Sequence, residues 1–214
     1  MPSTIVHLAF AALIATALLG AAFDRRALLF ILVVMALPDL DSFVDVGNVP
    51  GHRMLLHNIW LAVIPTVALG IDLSVREQSL VRERFGDRGV RIAWVTILCY
   101  VVAHLGLDMA DGVVNLFWPV HDQFYDLRGT IELSDQRGVV QTFVDGKGFL
   151  LFEAEGSTEE IYITTGVDPG PSTGEEDPER LFPIFRAGWQ FVLFVTGLFV
   201  TAARFAVPEE PGAR

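Results

Sequence analysis

The chain is cut into long apolar blocks, and the polar residues it carries gather where those blocks end. Residues 5–23 are almost wholly apolar and close on Asp24, Arg25 and Arg26. A run of that length, rich in Leu and Ala, is a membrane helix or a signal peptide. A signal peptide carries its positive charges ahead of the apolar region; here they follow it, which favours a retained first span that starts outside. Further blocks cover residues 27–37, 59–73, 92–107 and 187–207. The second is short, about half of a hydrocarbon core at about 1.5 Å per residue. It either begins earlier, at Arg25 and Arg26, or leaves the turn after Pro38 sunk in the outer bilayer. Pro65 marks a kink in the third. The apolar fraction of 52% agrees with membrane insertion.

Against this apolar content stands a formal net charge of -11. Lys147 is the sole lysine, so the basic charge is nearly all arginine. A lysine-poor, acidic surface suits a high-salt, halophilic setting, and the absence of a basic face argues against nucleic acid as a partner. The single cysteine, Cys99, lies inside an apolar block and excludes both an internal disulfide and a Cys-rich zinc site.

Between the fourth and fifth blocks the pattern changes. Residues 129–165 alternate short runs rich in Val, Ile, Phe and Thr with DQRG, DGKG and EGS turns, which predicts a three- or four-strand antiparallel meander. An acidic Gly/Pro loop follows. Arginines fix the orientation, because basic loops stay in the cytoplasm. Arg25 and Arg26, and the loop over residues 72–92 with Arg76, Arg82, Arg84, Arg88 and Arg91, face inward; the acidic 108–186 segment faces outward. The fold class expected is therefore an α-helical integral membrane protein of about five transmembrane helices with a small extracytoplasmic antiparallel β insertion. Its parts are a helical core over residues 1–119, the insertion over 120–186, and a last span with a short tail over 187–214. The N-terminus lies outside and the C-terminus inside.

In that topology the titratable residues fall on one side. His7 opens the first span, Asp39 and Asp41 follow the second, His52 and His57 precede the third, and His104 and Asp108 end the fourth. Hydropathy and arginine counts carry no information about metal chemistry, yet they collect four of the five histidines with these carboxylates on the outer face. Clustered Asp and His at helix ends are the donors a divalent cation requires. Ionisable groups at membrane segments are costly and are functional by default. His104 and Asp108, four residues apart, share one helical face, so Asp108 either binds the ion or orients the imidazole. His7, His57 and His104 are expected to converge with the Asp39 and Asp41 carboxylates.

These residues, in order, are His7; Pro38-Asp39-Leu40-Asp41; His52-Arg53 with His57; His104 with Asp108; and Gly112-Val113 through Leu116, Trp118 and Pro119. The pattern resembles the YdjM-like family of membrane-bound, metal-dependent hydrolases over about the first 120 residues. Two positions depart from it: many relatives have His where this chain has Ser42, and Thr where it has Leu56. More remotely, the His/Asp set is similar to that of zinc-dependent phospholipase C and related nucleases, which implies a phosphoester as the substrate class.

The chemistry expected is hydrolysis by metal-activated water. His7, Asp41, His57, His104 and Asp108 are the expected metal ligands. Asp39 is a bridging ligand or general base, His52 a ligand or proton shuttle, and Arg53 a partner for a phosphate-like anion. The cofactor is a divalent metal, zinc first, as one or two ions, with manganese or magnesium as alternatives. A site at the outer membrane edge suits a lipid or lipid-linked phosphoester. The rival functions are a non-catalytic membrane protein with a structural metal, whose site would be closed by four ligands, and an ion transporter, which would need polar groups continuing toward the cytoplasm.

Overall fold

A computed structural model of the chain describes residues 2–46, 49–142, 153–161, 163, 165 and 183–207. It is mostly helical, with small antiparallel two-stranded sheets. The chain divides into two compact units. One comprises Pro2–Pro38, Trp60–His104 and Pro183–Arg214, the other Asp39–Ile59 and Leu105–Phe182.

The first unit is helical. Helix α1 (Thr4–Leu18) packs on α2 (Arg25–Ala36), and α2 begins at Arg25 because Asp24 caps it, accepting a hydrogen bond from Ala27 N at 2.7 Å. The helix of the second apolar block therefore begins at the arginines. Pro65 lies within α3 (Trp60–Ser74) and does not end it. Helix α4 (Leu80–Cys99) is capped by Ser79 and bends at Gly86, where φ is 66°. It runs on through a π-helical stretch, Tyr100–Gly106, into α5 (Leu107–Asp111), forming one continuous run from Leu80 to Asp111. Arg91 Nε caps the end of α1 by donating to Leu18 O at 2.8 Å, and Arg88 pairs with Asp24.

Helix α6 (Gly188–Ala206) packs against α1. Ala9, Ala11, Ala12 and Ala15 of α1 are all buried, and small residues let membrane helices approach closely. Gly197 sits so near that a Cβ there would lie 2.6 Å from Ala9 O. Gly197→Ala is thus expected to destabilise the protein by about 1–3 kcal/mol, measured as a lower Tm in detergent with metal content unchanged.

Two helical runs among the described residues, Leu80–Asp111 and Gly188–Ala206, are long and apolar enough to cross a membrane; α1 and α3 are apolar but shorter. Leu29, Phe30, Val33, Ile64, Val67 and Phe199 are exposed. In water this would be a large apolar patch; against acyl chains it is the expected outer face of helices whose backbone bonds are all internal.

The second unit holds the loops and sheets. A 3₁₀ turn (Pro38–Phe43) leads into the short pair β1 (Asp45–Val46) and β2 (Val49–Pro50). After α5 come β3 (Phe124–Asp126), β4 (Ile131–Ser134), β5 (Gly138–Gln141) and β6 (Glu153–Gly156). The expected meander is corrected here. The DQR turn does join β4 to β5, with Leu133 opposite Val139, but β6 pairs with β3 instead of continuing from β5. The hairpin leaves Ile131, Leu133 and Val139 exposed, whereas β3 is wholly buried. Arg128 fastens the β3–β6 pair by bridging Asp126 and Glu155. Residues 157–161 form a turn closed by Ile161 N to Ser157 O at 2.9 Å, so no strand begins there. The DGKG turn of the expected meander lies outside the described residues.

Candidate metal centre

Proline 38 stops α2, because the pyrrolidine ring cannot continue the helical ladder. The 3₁₀ turn that follows carries Asp39 and Asp41. The chain then returns through residues 51–58, with Met54 N and Leu55 N donating to Gly51 O at 3.2 and 2.9 Å. This return lays His52 and His57 on Asp41.

Asp41 is fully buried. Its Oδ1 accepts from His52 Nδ1 at 2.9 Å, and its Oδ2 accepts from His57 Nδ1 at 2.8 Å and from Leu56 N at 3.1 Å. A carboxylate only accepts, so Nδ1 of each ring carries a proton and Nε2 points onward. Burial pushes the Asp41 carboxyl up, but the hydrogen bonds from His52 and His57 prevail and hold it below the usual carboxylate range. The sequence reading made Asp41 a ligand; the structure gives both its oxygens to the histidines and to Leu56 N. Ser42, the departure from the family pattern, lies 3.0 Å from His52 Nδ1 and so adds a second partner to that ring.

His57 is the hub. Its Nε2 stands 3.5 Å from Asp39 Oδ1 and 3.3 Å from Asp108 Oδ2. Burial disfavours charge on this ring, yet hydrogen bonds to Asp108, Asp39 and Asp41 outweigh it and raise its pKa well above the usual histidine value. A cation bound at Nε2 would displace that proton. Asp39, His52 and His57 offer ligand atoms all within 4.8 Å of one another. The Asp39 side chain keeps 18% exposure, so this group retains contact with solvent.

Arg53 lies inside this unit. It was expected to meet an anionic substrate, but its guanidinium is buried and ion-paired with Asp108 Oδ1. It also donates to Asp108 O at 3.1 Å and Val113 O at 3.2 Å. Its backbone adopts φ 60°, an unusual conformation for a long side chain and one found where surrounding contacts impose it.

In the helical unit, His7 and His104 are both buried and their rings stack with centroids 4.3 Å apart. His7 Nδ1 donates to Ala103 O at 2.7 Å, which fixes the orientation of the ring. His104 lies in the π-helical stretch, a feature frequent at functional sites, and also stacks on Tyr100. His121, the fifth histidine, is exposed beside Tyr125. A separate acidic group, Asp126, Glu153 and Glu155, already has Arg128 as counter-ion.

The order of these elements along the chain is diagnostic. A family model described as YdjM inner membrane protein matches residues 1–162. The chain belongs to the YdjM inner membrane protein family. The match extends past the motifs of the first 120 residues and takes in β3 to β6. Comparison with curated proteins gave no match, and neither did comparison with solved structures. The YdjM assignment and the apolar helices make this a membrane protein with buried His/Asp groups able to hold a metal ion.

Proposed function

We propose that this YdjM-family protein is a metal-dependent hydrolase that cleaves a phosphoester, lipid or lipid-linked, at the outer membrane face. The observation that carries the reading is the arrangement at His57. One ring nitrogen is tied to Asp41, and the other faces two carboxylates from distant parts of the sequence, Asp39 and Asp108. Ligand, orienting carboxylate and further ligand oxygens in this order are the parts of a metal site with its histidine tautomer fixed.

The residues proposed as ligands are His57, Asp39 and Asp108, together with His7 and His104 on the strength of their place in the sequence. Asp41 orients His52 and His57. When bound, a divalent ion, zinc first, polarises the scissile group and lowers the pKa of water. Asp39 is partly exposed and suited to take a proton from water, and His52 Nε2 offers a route for that proton. The hard and borderline donor set, oxygen with imidazole, fits zinc or manganese and contains no thiolate.

The placement of the site on the outer face follows from five spans with the 72–92 loop inside. Cysteines introduced at Ser79 and Ser157 in a Cys99→Ala background test this. A membrane-impermeant thiol reagent applied to intact cells is expected to label position 157 and not 79. The reverse pattern would put the histidines on the cytoplasmic side. The function itself is tested by metal analysis of the purified protein followed by a panel of phosphoester and phospholipid substrates.

A further inference from the structure

We propose that Arg53 and Gly112 form a positioning device for Asp108, in which the guanidinium holds one carboxylate oxygen so that the other is presented to the metal ion. This rests on the metal-centre reading above and adds two residues that do not themselves ligate the ion.

Arg53 is fixed to the segment after the fourth apolar block from both ends. Its guanidinium pairs with Asp108 Oδ1 and donates to the carbonyls of Asp108 and Val113, while its own carbonyl accepts from Asn115 N at 2.9 Å. The backbone at Arg53 is left-handed and its side chain is buried. With Oδ1 taken, the carboxylate plane of Asp108 is set, and Oδ2 stands 3.3 Å from His57 Nε2. A bidentate or multiply anchored guanidinium fixes a carboxylate in a way that a single ammonium group does not.

Gly112 makes room for this arrangement. Its φ of 177° is ordinary extended backbone, so conformation does not demand glycine there. Space does: a Cβ on residue 112 would collide with Arg53 Nη1 and lie 3.7 Å from Asp108 O. The H-R element and the G-V run, some sixty residues apart, therefore meet at one contact.

The alternative is that Arg53 merely balances buried negative charge. The two roles separate in Arg53→Lys, which keeps the charge and loses the fork. A charge-balancing residue predicts wild-type zinc affinity for this variant. Positioning predicts a loss of about 10–100-fold, the usual effect of removing a group that orients a ligand. Gly112→Ala alters no charge and should weaken zinc binding similarly. It should add little in the Arg53→Lys background, because the atom it displaces is already gone. Zinc affinity is measured by calorimetry on the full chain in detergent, with Tm of the metal-free protein recorded alongside. Zinc binding by Arg53→Lys equal to wild type would overturn the device alone. Absence of zinc binding by the wild type would overturn the metal-centre reading and the device with it.

Discussion

Replacement of His57 by alanine is expected to lower zinc affinity by about a hundredfold or more. Structural zinc sites bind with about 10–16 kcal/mol shared over four ligands, so one ligand is worth about 3 kcal/mol, or about two decades in Kd. His57 should sit at the upper end because its loss affects more than one contact. Its ring touches Asp41 through Nδ1 and faces Asp39 and Asp108 through Nε2. Without it the three carboxylates lose the group that separates them. Calorimetric titration in detergent reads the change, and an unaltered Kd would remove His57 from the centre.

The second large effect is expected at Asp41. In Asp41→Asn the oxygen can still accept from one histidine, but the amide presents N–H groups to the other donor. One ring must then turn or change tautomer, and zinc affinity should fall by about 10–100-fold. Asp41→Ala should do more, since it removes the carboxylate that accepts from His57 Nδ1 and Leu56 N and leaves Ser42 to hold His52 Nδ1. Each buried donor that loses its hydrogen bond costs about 1–3 kcal/mol. The variant is therefore expected to lose stability as well as metal, seen as a lower Tm in the metal-free protein. Retention of wild-type affinity by Asp41→Asn would show that neither ring depends on it.

Much of the centre was legible in the sequence because of where its residues stand relative to apolar blocks. Asp39, Asp41, His52, His57 and Asp108 sit at helix ends, where hydropathy stops and titratable groups have no packing reason to gather. The structure brings all five into one unit, with His57 at the middle. What the sequence could not tell was the division of labour. Asp39 and Asp41 look alike in P-D-L-D, yet one is partly exposed and the other spends both oxygens on histidines. H-R-x-x-x-H reads the same whether its arginine faces solvent or interior. No local signal announces a left-handed arginine, so the pairing of Arg53 with Asp108 stayed hidden. The π-helical stretch around His104 likewise has no sequence mark.

In the β-rich segment, turn chemistry identified the β4–β5 hairpin correctly, because DQRG acts locally. The partner of β6 was decided by non-local burial. Phe124 and Tyr125 give β3 a buried place, and Val114 bridges to Tyr125, so the edge nearest the helix end attracts the later strand. Alternation alone cannot rank a buried edge over an exposed one.

The central claim is that these histidines and carboxylates hold a catalytic divalent ion. Elemental analysis of detergent-purified protein, run beside His57→Ala and followed by phosphoester hydrolysis before and after chelation, tests it most directly. The expected result is at least one equivalent of zinc or manganese in the wild type, little in the variant, and hydrolysis that chelation removes and the metal restores. Wild-type protein that is folded, free of metal after exposure to zinc and manganese, and no different from His57→Ala would contradict it.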